Sequence, residues 1–527
     1  MSLIQALQNP ALYDHPVEKF EVIETHISWV LLTGEYVYKI KKPVDFGFLD
    51  FSTLEKRQHF CEEELRLNRR LAPDLYLGVV SITGSEDQPQ LNGTSVAIEY
   101  AVKMRQFPQF AQLDRMLVSG QLDPSIIDRL ADKVAKFHLS IKSVETGSPY
   151  GDVDHLKIPM LENFTQIREA IDEAEVKLAL DKLERWTQRQ LVALAPGFAE
   201  RKADGFVREC HGDMHLRNIA YWQDEIVLFD CIEFNPNLYW IDVISEIAFL
   251  IMDLEDRDQK ALAQRFLNRY LEITGDYEGL RLLKFYKVYR AMVRAKVDAL
   301  RLKQEQAGSA EYRQTFDEFH QYLELAEKYI QPTQPLLLIN YGLSGSGKSI
   351  NSRKLAEILP AIQLRSDIER KRFFKVPPFG VATVDREVLY SAEAHDRTYA
   401  RLVELAGKLL KAGYTVIVDA ANLHQKRRQQ FVELAESIRV PYLILAFEVE
   451  EEILRQRVEQ RTRTNEDVSD ATVSVLEEQL ENHEPISEEE QAYTIVIDTS
   501  GKIDFDTIVE QVRNKTCADQ NNRESAI

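Results

Sequence analysis

Only four cysteines, Cys61, Cys210, Cys231 and Cys517, occur in 527 residues, and no two of them form a C-x-x-C pair. That scarcity argues against a disulfide framework and a zinc site, and it suits a reducing compartment. Cys210 and Cys231 read as small buried strand residues. No apolar run reaches the roughly 18–20 residues needed to span a bilayer. The opening "MSLIQALQNPALYDHPVEKF" lacks a basic n-region and does not read as a signal peptide, so a cytoplasmic location is expected. Positive charge is also in deficit: 65 Lys and Arg stand against 85 Asp and Glu, a net charge of −20. Such a surface excludes general nucleic-acid binding. Internal repeats and low-complexity blocks are missing too. What is there is an ordinary globular composition, 44% hydrophobic and 28% charged. At roughly 100–200 residues per domain, the length allows two to four domains.

"WVLLTGEYVYKIKKPV" reads as a β-hairpin turned at Thr33-Gly34-Glu35, with Val37, Lys39 and Lys41 on one face and Tyr36, Tyr38 and Ile40 on the other. Residues 53–71 read as a helix with Phe60, Leu65, Leu67 and Leu71 as its apolar spacing and Thr53 or Ser52 as its cap. "YLGVVSI" and "SVAIEYAVKM" read as strands around a polar loop at 84–94, and 110–205 and 238–330 as mainly helical. "QPTQP" (331–335) is a Pro-flanked break. Beyond it strands at 336–341, 361–364, 415–420 and 442–449 alternate with helices at 348–358, up to 412, 425–437 and 450–463. This alternation predicts a parallel sheet wound by right-handed crossovers. The expected domains are 1–332 and 333–515, followed by a polar tail, 516–527, expected to be disordered.

"HGDMHLRNIAYWQDEIVLFD" (211–230) places Asp213, Asn218 and Asp230 in one turn-strand-turn segment. Phosphoryl transfer needs an acceptor hydroxyl held in line, a base beside it and metal ions on the phosphates. Asp213 would orient or deprotonate the hydroxyl, and Asn218 and Asp230 offer the oxygen ligands that magnesium prefers. A strand lysine and a helix glutamate should accompany them. Lys39 and Glu64 fit, with Lys41 and Lys42 competing for the lysine role. His138 and His215 have no nearby metal-ligand partner in sequence and read as structural. Arg290 and Arg294 are positioned to shape an acceptor site.

Through "HGDMHLRN", "LFDCIEF" and "WIDVISEIAFL", residues 20–300 resemble the aminoglycoside phosphotransferase family, relatives of the protein kinases; Asp242 is similar to that family's structural Asp. The resemblance implies an N-terminal α+β, protein-kinase-like bilobal domain. It also implies Asp213 as catalytic base, Asn218 and Asp230 as magnesium ligands, Lys39 on the ATP phosphates held by Glu64, and "IEYAVKM" (98–104) along the adenine. The family's glycine-rich loop before Lys39 is replaced here by "ETHISWVLLTG".

Downstream, "GLSGSGKS" satisfies the phosphate-loop pattern GxxxxGK[ST], after an apolar strand and before a helix. Gly342, Ser344, Gly345, Ser346 and Gly347 would turn backbone N–H groups towards phosphate oxygens. Lys348 would reach the β- and γ-phosphates, and Ser349 would ligate magnesium. In "LRSDIERKR" Asp367 is either the base for an acceptor hydroxyl or a helix N-cap, and Arg370 lies one turn away. Asp419, ending "TVIVDA", is either a magnesium-assisting acid or a strand-end turn residue. Arg457, Arg461 and Arg463 of "RQRVEQRTR", followed by "NEDVSDA", form either a lid over the transferring phosphate or a solvated helix face. Two further basic clusters, "ERKRFFK" and "HQKRRQQ", favour an anionic acceptor. This half resembles small P-loop kinases of the polynucleotide kinase and zeta-toxin-like group, AAA-type ATP-binding modules. An α/β three-layer P-loop NTPase fold with a parallel sheet follows from that resemblance.

The whole chain resembles a bacterial family that fuses the two modules. Two phosphotransferases in tandem are expected, using ATP and Mg2+ on small-molecule or nucleotide-like acceptors, with no membrane partner. The competing reading makes the P-loop half an ATPase switch, or the first half a nucleotide-binding regulatory module.

Overall fold

The computed structural model describes residues 2–47, 49–377, 386–464 and 472–524, with the side chains of 386–387, 461–464 and 517–524 outside the description. The chain divides into two compact units, 1–256 with 285–327, and 257–284 with 328–527.

The first unit opens with a six-stranded antiparallel sheet of order β1-β2-β3-β6-β4-β5. Its strands are β1 (Glu21–Glu24), β2 (Ser28–Leu32), β3 (Tyr36–Lys41), β4 (Tyr76–Ser85), β5 (Gln88–Leu91) and β6 (Ala97–Arg105). The stretch at 84–94, expected as a loop, instead holds the end of β4 and all of β5. Ile82 faces Leu91 across that pair and Ser85 faces Gln88, leaving Glu86 and Asp87 as the turn. One face of β3 sends Tyr38 and Ile40 into a core with Leu31, Val80, Ile82 and Ala101. The other face sends Lys39 and Lys41 to the helix Leu54–Asn68.

Thr53 caps that helix by accepting from Lys56 N. Its buried residues are Arg57, Cys61, Glu64, Leu67 and Asn68, whereas Phe60 and Leu65 are only half-buried. The apolar spacing is thus right for Leu67 and Leu71, which are buried, but it misses the charged residues that share the inward face. Charged residues occupy the inward face because each meets a partner: Arg57 Nε lies 2.9 Å from both Glu99 oxygens, and Glu64 meets two lysines. A paired charge tolerates burial that an isolated one does not.

The remainder of this unit is mainly helical, with β7 (Val207–Glu209) paired to β10 (Trp240–Asp242), and β8 (Ile219–Trp222) to β9 (Glu225–Leu228). Gln223 and Asp224 turn the β8–β9 hairpin, both with positive φ (53° and 60°), as a two-residue turn between twisted strands requires. Cys210 and Cys231 are buried, but in the loops after β7 and β9 rather than within strands.

The second unit is a five-stranded parallel sheet of order β12-β13-β11-β14-β15. The strands are β11 (Leu337–Tyr341), β12 (Ala361–Arg365), β13 (Thr415–Asp419), β14 (Tyr442–Glu448) and β15 (Thr494–Asp498). Every residue of β11 and β12 is buried, as befits strands covered on both faces. The helices Lys348–Ile358 and Gln425–Ser437 span the residues expected from sequence. The backbone of the tail expected to be disordered from 516 is helical to Glu524, continuing a helix whose Ile508, Val509 and Val512 pack on the sheet.

Contacts also assign 257–284 to this unit, unlike the single linear division at 332/333. The helix Lys260–Thr274 covers the outer edge of β12. Gln264 Nε2 and Asn268 Nδ2 donate to Ala361 O at 2.8 and 3.0 Å, and Asn268 Oδ1 accepts from Gln363 N at 3.0 Å. An uncovered edge would leave these backbone groups unpaired. Side-chain amides carry no hydropathy signal, so the sequence did not show this attachment. None of the described helices is long and apolar enough to cross a membrane.

Replacing Asn268 by Ala strips Gln363 N of its acceptor in a buried setting, at a cost of about 1–3 kcal/mol. Calorimetry of the full chain should show the second unit's transition lowered while that of the first is unmoved.

Candidate functional site

In the first unit a buried ionic knot joins β3, the helix Leu54–Asn68 and the segment after β9. Lys39 Nζ lies 2.9 Å from Glu64 Oε1 and 2.5 Å from Asp230 Oδ1. Lys41 Nζ lies 2.7 Å from Glu64 Oε2 and also bonds Glu233 Oε1. Lys42 turns outward to Glu24. The three competing lysines thus separate by position, and only Lys39 reaches the Asp213–Asp230 segment. Burial opposes the charge on Lys39 and Lys41, but the surrounding carboxylates outweigh it and raise both above the ordinary lysine value. Of the two buried glutamates, Glu233 is pushed up by burial. Glu64 is buried as well, but its contacts with both lysines hold it low. Glu233 was not singled out from sequence; its signal was an acid three residues after Asp230 in "LFDCIEF".

Asp230 itself has φ +63°, a left-handed conformation, and its N–H donates to the Tyr76 hydroxyl at 3.0 Å. Its side chain is 49% exposed. Asn218 Nδ2 donates to Asp213 Oδ2 at 2.9 Å and to Asp213 O at 3.0 Å. Those two bonds use the amide nitrogen and leave Oδ1 as an acceptor. His215, read from sequence as structural, stands 3.3 Å from Asp213 Oδ2. Burial raises the Asp213 pKa, but His215 and His211 outweigh it and hold the carboxylate well below its usual range.

The loop carrying these groups hangs on two acids of the almost wholly buried helix Val243–Asp256. Glu246 accepts from His211 N at 2.9 Å and from Gly212 N at 3.1 Å, and Asp253 accepts from Leu216 N at 2.8 Å. Gly212 has φ +89°, and a Cβ there would lie 2.8 Å from Leu238 O, so glycine is required. Arg290, expected near an acceptor, is instead a buried brace that donates to Gly212 O and Ser245 O. Arg294 Nε donates to the Tyr322 hydroxyl. Asp242 is a structural anchor, gripped by Arg201 at 2.6 and 2.8 Å. A ring nitrogen of His138, Cys210 Sγ and a Glu246 oxygen lie within 4.8 Å of one another. Both Glu246 oxygens already serve backbone donors, so this trio reads as a loop anchor.

In the second unit the phosphate loop joins β11 to the helix Lys348–Ile358. Gly345 has φ +85°, and a Cβ there would lie 2.9 Å from Leu454 O. Lys348 Nζ bonds Leu343 O at 2.7 Å and Ser346 Oγ at 3.4 Å, and Ser344 N donates to Gln479 Oε1 at 2.8 Å. Arg457, expected in a lid, lines the cavity beside the phosphate loop and clamps that loop: it donates to Gly345 O at 3.3 Å and to Thr499 O at 2.6 Å, while Thr499 Oγ1 donates to Ser346 O at 2.9 Å. The side chains of Arg461 and Arg463, and the "NEDVSDA" segment, lie outside the described residues.

Gly347, Lys348, Ser349, Asp367, Arg370 and Asp419 line one cavity of about 1500 Å³. Asp367 is not an N-cap. It sits in the first turn of the helix Ser366–Phe373 and is paired to Arg370 at 2.8 Å. Asp419 accepts from Asn340 Nδ2 at 3.2 Å and Gln363 Nε2 at 2.9 Å. The basic clusters disperse. Arg428 is wholly buried against Glu490, Arg372 donates to Glu272 O, and Arg427 lines the cavity.

The fold and these two constellations define a protein that carries a phosphotransferase-type, kinase-like region followed by a P-loop region. A family model described as Phosphotransferase enzyme family matches residues 38–283, and one described as AAA domain matches 337–486. Uncharacterized proteins of Mycobacterium bovis and of two Mycobacterium tuberculosis strains are each 31% identical over 415 residues, 77% of this chain and 79% of theirs. The chain belongs to the family of these mycobacterial proteins. Among solved structures, the amicoumacin kinase hAmiN is 14% identical and covers 62% of this chain and 92% of its own, with a TM-score of 0.40. A gluconokinase from Sinorhizobium meliloti 1021 is 20% identical, covering 37% of this chain and 97% of its own, with a TM-score of 0.25.

The lysines should separate by mutation. Lys41→Met strands the buried Glu233 and takes one of Glu64's two lysines, and should destabilise the first unit by about 3–5 kcal/mol. Lys42→Met removes an exposed pair and should cost less than about 1 kcal/mol in a denaturant titration.

Burial also pushes His138 down to about 4, against the pull of Glu246. Between about pH 6.5 and 4 the unfolded chain binds a proton there that the folded chain does not, so stability falls as pH falls through that window. The melting temperature of the first unit should therefore drop less on acidification in His138→Gln than in wild type.

Proposed function

We propose that the first unit transfers the γ-phosphoryl group of ATP to a hydroxyl of a small molecule. The observation that carries this reading is Lys39. Its ammonium bridges Glu64 and Asp230, the latter 191 residues away, on the segment that also bears Asp213 and Asn218. Asp213, kept ionised by its surroundings, accepts the acceptor's proton as the new oxygen–phosphorus bond forms. The bond from the γ-phosphorus to the bridging oxygen breaks, and ADP leaves. Lys39, held by Glu64, lies against the ATP phosphates, and β6 contributes to the adenine site. Asn218 Oδ1 and the half-exposed Asp230 carboxylate are an all-oxygen donor set that suits magnesium, which when bound neutralises phosphate charge.

The second unit is proposed to perform the same class of reaction on another acceptor. The loop N–H groups and Lys348 hold the phosphates, with Ser349 and Asp419 supplying oxygens for magnesium. Asp367 takes the acceptor's proton and Arg370 steadies an anionic part of that acceptor. Arg457 fixes the loop from the cavity wall.

The test is to incubate wild type, Asp213→Ala and Lys348→Ala with γ-labelled ATP and a fractionated bacterial metabolite extract, then to identify labelled products. Each variant should lose one product by about a hundredfold or more and retain the other. Loss of the same product in both would couple the two units into one reaction. ATP hydrolysis with no labelled product, abolished by Lys348→Ala and kept by Asp367→Ala, would replace the reading with an ATPase switch.

A further inference from the structure

We infer that the second unit's cavity takes an acceptor bearing an anionic group near its reacting hydroxyl, and that Arg269 helps hold that group. The inference rests on the phosphotransferase reading of this unit. Arg269 belongs to the helix Lys260–Thr274, inside the stretch matched by the phosphotransferase family model and outside the 337–486 match. Yet it lines the same cavity as Asp367, Arg370 and Arg427.

Its backbone is held firmly. Asn268, the preceding residue, bonds both Ala361 O and Gln363 N of β12. Glu272, one turn on, lies 3.4 Å from Arg365 Nη1, and its carbonyl accepts from Arg372 at 2.9 Å. Arg265, one turn back, pairs with Glu357 at 2.9 Å. A guanidinium on such a support is pre-organised, which lowers the ordering cost of gripping a ligand.

An orphan donor beside Asp367 favours an anion. Arg269, Arg370 and Arg427 line the cavity with Asp367 and Asp396, and Arg269 also lies 3.9 Å from Glu272. Arg370 pairs with Asp367 at 2.8 Å and lies over the Tyr390 ring at 4.6 Å. Arg370 Nε is nevertheless buried with no hydrogen-bond partner, an orphan donor in a side chain only 6% exposed. Arg427 pairs with Asp396 and lies over Tyr399 at 4.7 Å. His395 stays neutral, pushed down to about 4 by burial and by Arg370 and Arg427, and is thus a hydrogen-bonding group for an uncharged hydroxyl. Guanidinium groups recognise planar or tetrahedral oxyanions by paired N–H bonds. The acceptor class is therefore a hydroxyl compound carrying phosphate, sulfate or carboxylate.

Binding to the full chain tests this. With the phosphate loop saturated by Mg·ADP, inorganic sulfate is titrated at constant ionic strength and followed by calorimetry. A sulfate site should persist beside bound ADP. Arg269→Gln should weaken it about tenfold or more without changing ADP affinity, and Arg269→Lys, which keeps the charge but not the paired N–H bonds, should restore only part of the loss. Glycerol 3-phosphate or gluconate should displace the sulfate and sorbitol should not, and whichever of the first two competes better identifies the oxyanion. Absence of a sulfate site beside ADP, unchanged sulfate affinity in Arg269→Gln, or equal displacement by sorbitol would overturn the inference alone. Failure of the wild type to bind ADP in a Lys348-dependent manner would instead remove the underlying reading, and the inference with it.

Discussion

Glu64 is the fixed point of the first unit. Its two carboxylate oxygens each take one lysine, from positions 39 and 41 of the same strand face. A strand puts alternate residues on one side, and a helix carboxylate standing over that side can meet both. Lys39 then extends to Asp230 and Lys41 to Glu233, so one side chain ties the sheet to the segment that follows β9. Such a buried knot holds only while every charge is paired, because leaving one ion alone in a low-dielectric interior costs several kcal/mol. The geometry of Asp213 and Asn218 is built outward from that knot and from the two acids, Glu246 and Asp253, that grip the loop backbone.

The second unit meets a similar demand by other means. Its phosphate loop is glycine-rich, and the shape of the loop is enforced by side chains from elsewhere in the unit. Arg457 and Thr499 clamp the carbonyls of Gly345 and Ser346. Asn340 and Gln363 orient Asp419. A backbone cradle needs bracing from outside because a glycine-rich loop has little rigidity of its own. The Lys260–Thr274 helix extends that bracing to β12, the edge strand that leads into Asp367.

Much of this was legible in the chain itself. The alternation of short apolar strands with helices after 336 gave the bounds of two helices to the residue. The spacing of Asp213, Asn218 and Asp230, and the pattern from Gly342 to Ser349, pointed to the two segments around which the candidate sites are built. What stayed hidden shares one cause. Glu233, Glu246, Asp253 and the charged inward residues of the helix Leu54–Asn68 are polar residues placed by partners far away in sequence. Hydropathy reads such residues as solvent-facing, since nothing local reveals that a partner exists. Arg290 erred in the opposite direction: a basic residue close to a motif, it proved to be occupied by backbone carbonyls.

The sequence by itself determined the two phosphate-handling motifs and the classes of fold that present them, because both depend on short-range spacing and on periodicities of two and 3.6 residues. The tertiary structure alone decided which of three neighbouring lysines meets Asp230, which arginines line the cavity, and that residues 257–284 pack with the P-loop sheet. Those choices turn on pairing energies between buried polar groups, and these exist only once the chain has brought the partners within hydrogen-bonding distance.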